Sequence, residues 1–206
     1  MGQYWTEHKG YIQSELAYRL GVVVRQYERL VEDDDPLNFN SSLFLSVLQT
    51  LLTTCKELIE WNDYTFSDKK PNDGFYDLDT TISLVNQFGF HKNMIKESEF
   101  SKDRTNCKHV LNHLRNAMSH PTISTESKDQ TGYTSMGGDS LTDRITGYQF
   151  INVSQYNGSK FRIEMTTEEL RNLIFSLSKL LAQPYQKKNN PRWEADFYNE
   201  NIFDAA

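Results

Sequence analysis

The stretch "CKHVLNHLRNAMSHP", residues 107–121, decides how the fold is interpreted, because a helical pattern ends there in an arginine and a histidine. Its apolar residues recur at spacings of three and four: Cys107, Val110, Leu111, Leu114, Ala117 and Met118. This spacing predicts an amphipathic helix with one buried face. Asp103 is a suitable N-cap residue, and Pro121 disfavours helical backbone at the preceding residue. We therefore expect the helix to end at His120.

Two further long helices are predicted before this stretch. The first covers residues 12–32, where apolar residues again recur every three or four positions. The second is capped by Ser41 or Ser42 and runs through the most hydrophobic segment, residues 43–59. Shorter helical segments are predicted near residues 78–88 and 92–97.

A fourth long helix is predicted near the end of the chain. Thr166 is followed three positions later by Glu169, which is the pattern of a capping box. Leucines and isoleucines then recur at helical spacing, and Pro184 is expected to end the helix. The tail from about residue 184 to 206 carries five large apolar side chains that can pack on this domain or on a partner: Trp193, Phe197, Tyr198, Ile202 and Phe203.

A β-hairpin is predicted for about residues 147–165. Asn157 and Gly158 form the dipeptide preferred by tight type I′ turns. In the second strand, apolar and charged residues alternate from Lys160 to Met165, as expected for a strand with one buried face.

The segment from about residue 122 to 144 is rich in Ser, Thr and Gly, which predicts a flexible polar loop. Two interpretations stay open for it: a disordered insertion, and a mobile loop with a functional use.

Composition narrows the class of protein. The net charge of −6 argues against a sequence-independent duplex-binding protein, which would carry a basic face. Cys55 and Cys107 each lie within an apolar helical pattern, so a disulfide framework is not supported. No apolar run approaches the roughly 20 residues needed to span a bilayer. We expect one cytoplasmic domain over residues 1–206, mainly α, formed by a helical bundle with an inserted β-hairpin.

The six residues from Arg115 to His120, "RNAMSH", match the R-x4-H motif of HEPN domains, including a polar residue, Asn116, after the arginine. The surrounding helices resemble the HEPN arrangement over roughly residues 10–183. HEPN domains are helical bundles, and many are metal-independent ribonucleases of toxin, anti-phage or CRISPR-associated systems. The resemblance implies an endoribonuclease that needs no cofactor and no metal, with RNA as substrate, a homodimeric assembly and an antitoxin protein as a further partner.

The residue types of this motif suit RNA cleavage. Cleavage without a metal requires removal of a proton from the 2′-hydroxyl, protonation of the departing 5′-oxygen and stabilisation of negative charge on the phosphate. A histidine such as His120 can transfer protons near neutral pH, and the guanidinium of Arg115 fits phosphate oxygens. Asn116 can orient a phosphate or the histidine ring. We therefore assign Arg115 and His120 as catalytic and Asn116 as substrate-binding.

The motif presents one geometric difficulty. Arg115 and His120 are about 140° apart on an ideal helix. The two side chains can meet if the helix unwinds near Ser119, or if two chains contribute to one site. The second solution agrees with the HEPN resemblance, in which motif helices pair across a dimer.

Other interpretations of these residues stay open. Arginine and histidine near a helix C-terminus can simply bond its last carbonyls. His109, His113 and His120 project at similar helical angles, so a zinc site on the polar face is conceivable. The chain can also be a non-catalytic helical module that binds protein or nucleotide. G-x-S-x-G, Walker and G-x-G-x-x-G motifs are absent from the sequence, so the hydrolase, nucleotidase and dehydrogenase templates that these motifs define do not apply.

Overall fold

The computed structural model describes residues 11–30, 40–53, 88–99, 107–120, 122–128, 134–136, 144–155 and 157–189. The helices in these ranges are α1 (Tyr11–Leu30), α2 (Asn40–Thr53), α3 (Cys107–Ser119) and α4 (Thr167–Asn189). The strands are β1 (Ile95–Ser98), β2 (Ile123–Lys128), β3 (Thr134–Met136), β4 (Arg144–Val153) and β5 (Lys160–Thr166). A short 3₁₀ turn, Lys92–Met94, precedes β1.

The strands form one antiparallel sheet of five, in the order β1-β5-β4-β2-β3. The predicted hairpin is confirmed as the β4–β5 pair, which runs from Val153 opposite Lys160 to Gly147 opposite Thr166. It is the centre of a five-stranded sheet, so the prediction that only two strands are inserted among the helices is corrected. The described residues are mainly helical, as predicted. The described part of the chain is a layer of helices on one face of a sheet.

Two predictions of local structure differ from the structure for the same physical reason. The helical segment predicted for residues 92–97 is a 3₁₀ turn followed by β1, whose Ile95 lies opposite Ile163 of β5. The polar segment 122–144, predicted as a loop, contains β2 and β3. Backbone hydrogen bonds to neighbouring strands hold these short segments extended, although their side chains give little local β signal.

The connection between β4 and β5 is wider than a type I′ turn. The Ser154 amide donates to the Ser159 carbonyl at 2.8 Å, and the Gly158 amide donates to the Ser154 carbonyl at 2.9 Å. Gly158 has a φ of +71°, but no described non-glycine residue has a positive φ, so Asn157 does not adopt the type I′ conformation. Instead, Asn157 Oδ1 accepts a hydrogen bond from the Ser159 amide at 3.1 Å.

One hydrophobic core lies between the sheet and the helices. Helices α3 and α4 pack against the sheet, α2 contacts the other three helices, and α1 packs along α4. Successive side chains of β4 and β5 point to opposite faces of the sheet. Those on the helix-facing side are buried, among them Tyr148, Phe150, Phe161 and Ile163. This arrangement confirms the buried stripe predicted for α3, since Val110, Leu111, Leu114, Ala117 and Met118 are all buried.

Helices α1 and α4 are antiparallel and are joined near both ends. At one end, the hydroxyl of Ser14 donates to the Leu181 carbonyl at 2.7 Å. At the other end, Arg171 forms a bidentate ion pair with Glu28. The hydrogen bonds that Arg171 donates to the Glu28 carboxylate raise the pKa of Arg171 above its ordinary value, against the opposing effect of burial.

The helix boundaries partly follow the predictions. The capping box of α4 is confirmed: the Glu169 amide donates to Thr166 Oγ1 at 3.1 Å, and the Thr166 amide donates to the Glu169 carboxylate at 2.8 Å. However, Pro184 does not end α4, which continues to Asn189. The buried residues Leu181 and Ala182 hold the helix against its neighbours just before the proline, so packing offsets the lost amide donor.

Several predictions fall outside the described residues. These are the cap at Asp103, residues 54–59 of the second helix, most of the segment 78–88 and the tail from residue 190 onward. Helix α2 begins at Asn40, one residue before the first of the two serines predicted as caps. None of the helices in the described ranges is both long and apolar enough to cross a membrane.

Candidate functional site

Helix α3 ends at Ser119, one residue before the end predicted at His120. The Ser119 hydroxyl donates to the Arg115 carbonyl at 2.9 Å, and the His120 amide donates to the Asn116 carbonyl at 3.1 Å. The Thr122 amide then donates to the His120 carbonyl at 2.7 Å. Hydroxyls and amides of the chain itself therefore bond these carbonyls, and the side chains of Arg115 and His120 do not serve as their caps.

Thr122 fastens the end of α3 to the sheet. Its hydroxyl lies 2.6 Å from the Ile151 carbonyl of β4, and its own carbonyl accepts a hydrogen bond from the Ile151 amide at 3.1 Å. No motif in the sequence marks Thr122 as part of a site. The available signal was a hydroxyl residue directly after a helix-ending proline, which is too common a pattern to be informative alone.

The guanidinium of Arg115 is held by its neighbour Asn116. Its Nε and Nη2 atoms lie 3.2 and 2.5 Å from Asn116 Oδ1, and both side chains are partly buried. Because arginine has donors only, the amide oxygen of Asn116 must face it, which leaves the amide nitrogen as a donor on the opposite side. The structure thus gives Asn116 a partner that the sequence analysis did not foresee.

This contact changes the geometry expected of the motif. Asn116 and His120 are four residues apart and therefore share one face of the helix. By bonding to Asn116, the Arg115 guanidinium is drawn across the helix towards the side from which His120 projects. Helix α3 does not unwind at Ser119, because the His120 amide keeps its helical bond to Asn116. The first of the two ways to bring Arg115 and His120 together is therefore not observed.

His120 is exposed, and no hydrogen bond or ion pair between described residues involves its ring. The ring therefore lies where an external group can reach it. Together, an oriented guanidinium, an amide donor and an accessible imidazole occupy the last two turns of α3 and the residue that follows.

The structure gives His113 a different place from the one considered in the sequence analysis. It is 6% exposed, and its ring stacks on Phe161 with 4.5 Å between centroids. Its Nδ1 lies 2.8 Å from the Nδ2 of Asn152, which is 7% exposed. His113 thus faces the sheet, contrary to the interpretation that placed it with His109 and His120 on a polar face. Within the described ranges, no three His, Cys, Asp or Glu residues are grouped as ion ligands.

Comparison with known proteins identifies the family. The model of the family described as HEPN pEK499 p136 matches residues 1–188. No curated protein and no solved structure matches the chain. The matched range contains all of α1, α2 and α3, the whole sheet and nearly all of α4. The chain therefore belongs to the HEPN pEK499 p136 family of HEPN domains.

Proposed function

We propose that the protein is a metal-independent endoribonuclease of the HEPN type, with Arg115 and His120 as catalytic residues and Asn116 as a substrate-binding residue. The observation that carries the proposal is the hydrogen bond from the Arg115 guanidinium to Asn116, which brings a fixed positive charge to the helix face shared with the exposed His120.

The proposed reaction needs no group beyond these side chains and RNA. The 2′-oxygen loses its proton and attacks the adjacent phosphorus, while the bond from phosphorus to the 5′-oxygen breaks. The departing 5′-oxygen takes up a proton, and the other product ends in a 2′,3′-cyclic phosphate. In this scheme one His120 imidazole accepts the proton of the 2′-oxygen, a second, protonated His120 gives a proton to the 5′-oxygen, and Arg115 stabilises the charge that develops on the phosphate oxygens.

Arg115 is suited to the electrostatic part of this reaction. The guanidinium group is planar and presents its donors in a rigid fork that matches phosphate oxygens. Two of the donor nitrogens are directed at Asn116, so the fork is oriented before substrate binds. A donor that is already oriented stabilises a transition state without the cost of reorganisation. The outward amide nitrogen of Asn116 adds a neutral donor for a phosphate oxygen.

One chain supplies a single imidazole to this site, that of His120. The general base acts on the 2′-oxygen and the general acid on the 5′-oxygen, so the reaction uses two proton-transfer groups. We therefore propose a homodimer in which the ends of two α3 helices face one phosphodiester, so that two imidazoles and two guanidinia surround it. The unbroken helix up to His120 supports this solution over a local unwinding within one chain.

The biological role that we propose is that of a cytoplasmic toxin or anti-phage effector acting on RNA, restrained by an antitoxin protein. Members of the HEPN superfamily commonly have such roles, and the net charge of −6 favours a narrow RNA-binding cleft over a broad basic face.

The test is cleavage of a mixed RNA substrate in excess EDTA by the wild type, Arg115→Ala and His120→Ala. We expect the wild type to give products with 2′,3′-cyclic phosphate ends, and each variant to lose at least about a hundredfold in rate. Arg19→Ala and His91→Ala remove an exposed arginine and an exposed histidine elsewhere and serve as matched controls. Equal residual cleavage by Arg115→Ala, His120→Ala and the wild type would contradict the proposal.

A second candidate function is a binding module that recognises RNA or protein without cleaving it. It is favoured by the exposed ring of His120, which no hydrogen bond between described residues orients for proton transfer. This candidate predicts RNA binding that Arg115→Ala weakens, with no cleavage by the wild type under any buffer condition.

A further inference from the structure

We propose that His113 and Asn152 are positioning residues for the site at the end of α3. By this inference, their buried contact fixes how the helix is rotated on the sheet, and so determines the direction in which Arg115 and His120 project. The effect on RNA cleavage rests on the proposed function, but the positioning itself is measurable without any activity.

Two neighbouring residues of β4 hold the two ends of the functional segment. Asn152 contacts His113 through Nδ2 and Nδ1 at 2.8 Å, and Ile151 exchanges hydrogen bonds with Thr122 at 2.6 and 3.1 Å. The Arg115–His120 segment lies between these two anchors. A shift of α3 along or around its axis would have to break at least one of them.

The contact at His113 controls rotation because the helix is continuous from there to the site. His113 and His120 are separated by seven positions, which places them about 20° apart around an ideal helix. The His120 amide keeps its helical bond to Asn116, so the rotational register is not lost at the helix end. Fixing His113 against Phe161 therefore also fixes the direction of His120.

A small rotation of α3 about its axis moves the side-chain atoms of the site by a distance that matters for catalysis. A turn of about 20° displaces atoms about 5 Å from a helix axis by about 2 Å. A displacement of about 1 Å from the productive geometry can already slow a reaction about a hundredfold. The rotation of α3 about its axis must therefore be fixed more precisely than contact between apolar surfaces alone can fix it.

A buried polar pair provides such a constraint. His113 and Asn152 are 6% and 7% exposed, in a region otherwise packed with apolar side chains. Two apolar side chains of similar shape can be nearly as stable as a buried hydrogen-bonded pair, so stability alone does not require polar residues here. A hydrogen bond differs in being directional and short-ranged, so only one rotation of the helix satisfies both partners.

The test replaces the pair while keeping its shape. Asn152→Leu alone removes the hydrogen bond between Asn152 Nδ2 and His113 Nδ1 in the core and is expected to lower the melting temperature. His113→Phe combined with Asn152→Leu keeps a ring on Phe161, removes both polar side chains of this pair and is expected to recover most of that loss. Native-state amide exchange is then compared at Ile151 and His120, which report the two ends of the constraint, and at Ile163 in β5 as reference.

In the double variant we expect exchange at Ile151 and His120 to become at least about tenfold faster, with Ile163 unchanged. If the wild type cleaves RNA, kcat of the double variant is expected to fall about tenfold to a hundredfold, with KM within about twofold. His113→Asn places an amide oxygen near the position of Nδ1 and is expected to keep both amides protected, whereas His113→Leu is expected to expose them.

The inference is overturned if the double variant exchanges like the wild type at both reporters, or if all three amides accelerate equally, as loss of overall stability would cause. If the double variant does not fold, the comparison of His113→Asn with His113→Leu decides in the same way. If the wild type never cleaves RNA but the exchange rates change as expected, the proposed function is contradicted and the positioning role of His113 and Asn152 is supported.

Discussion

The guanidinium of Arg115 donates through both Nε and Nη2 to a single oxygen, the Oδ1 of Asn116, at 3.2 and 2.5 Å. Adjacent residues on a helix point about 100° apart, so this contact requires the long arginine side chain to fold across the helix surface. Its result is a guanidinium oriented next to the face that carries His120.

Changes at Asn116 should therefore affect cleavage more than folding. Asn116→Ala releases the guanidinium, and we expect kcat/KM to fall about tenfold or more because the charge must be oriented during the reaction. Asn116→Asp keeps Arg115 in place but adds a negative charge near the phosphate, so its loss should be larger. Initial rates on one RNA substrate measure both effects. Asn112→Ala, one turn earlier on α3, is the matched control and should remain within about twofold of the wild type.

A composite site predicts complementation between two inactive chains. Arg115→Ala and His120→Ala are each expected to be inactive alone. Co-expressed with different affinity tags and purified as the mixed species, they should recover a small part of the wild-type rate, since the mixed site regains one arginine and one histidine but lacks the second imidazole of the proposed dimer. Sedimentation checks that every sample is dimeric. Dimeric mixtures that are no faster than either single variant would contradict the expectation that Arg115 of one chain acts with His120 of the other.

The anchor at Thr122 should contribute measurably to stability. Thr122→Val removes the hydroxyl that lies 2.6 Å from the Ile151 carbonyl, and we expect the free energy of unfolding to fall by about 1 to 2 kcal/mol. Thr122→Ser keeps the hydroxyl and should lose less. Urea unfolding followed by circular dichroism provides the measurement. Thr50→Val removes an exposed hydroxyl bonded within α2 and should change stability by less than about 0.5 kcal/mol.

The ion pair between Glu28 and Arg171 predicts a particular pH dependence. Glu28→Gln should destabilise the protein by about 1 kcal/mol, because the pair is bidentate and largely shielded from water. The pKa of Arg171 is raised by its hydrogen bond to Glu28, so the stabilisation is fully present below the ordinary arginine pKa and is lost only as pH rises above it. The difference between wild type and Glu28→Gln should hence be the same at pH 7 and pH 10.

A matched pair on the surface of α1 tests the role of shielding. Glu15→Gln breaks the ion pair with Arg19, whose side chain is 68% exposed, and should change stability by less than about 0.5 kcal/mol. An equal effect at both ion pairs, or a Glu28→Gln effect that disappears between pH 7 and pH 10, would contradict this account of the α1–α4 contact.

Features set by local spacing could be predicted from the sequence. The apolar stripe of α3, the capping box of Thr166 and Glu169 and the alternation in β5 each depend on residues within a few positions of one another, and the structure confirms all three. The position of Arg115 and His120 at the end of a core-facing helix followed in the same way.

Features set by distant partners could not be predicted. Strand β1 is extended because Ile95 pairs with Ile163, far along the chain, and the pattern within residues 95–98 carries no sign of that partner. His113 and Arg115 lie on opposite flanks of the apolar stripe, each about 100° from its centre on an ideal helix. This angle alone does not say whether a flank is buried or exposed, so His113 was interpreted as a residue of the polar face. Only the sheet, with Asn152 and Phe161 on it, decides that one flank of α3 is buried and the other reaches solvent.

The order of the strands also has a consequence for synthesis. The motif helix α3 is held by β4 and β5, both of which follow it in the chain. At translation rates of about 5 to 20 residues per second, the 46 residues from His120 to Thr166 (166 − 120) take about 2 to 9 seconds to make. A nascent chain therefore carries Arg115 and His120 for seconds before the strands that hold α3 are made, so under the proposed function the site is not complete while the chain is still being synthesised.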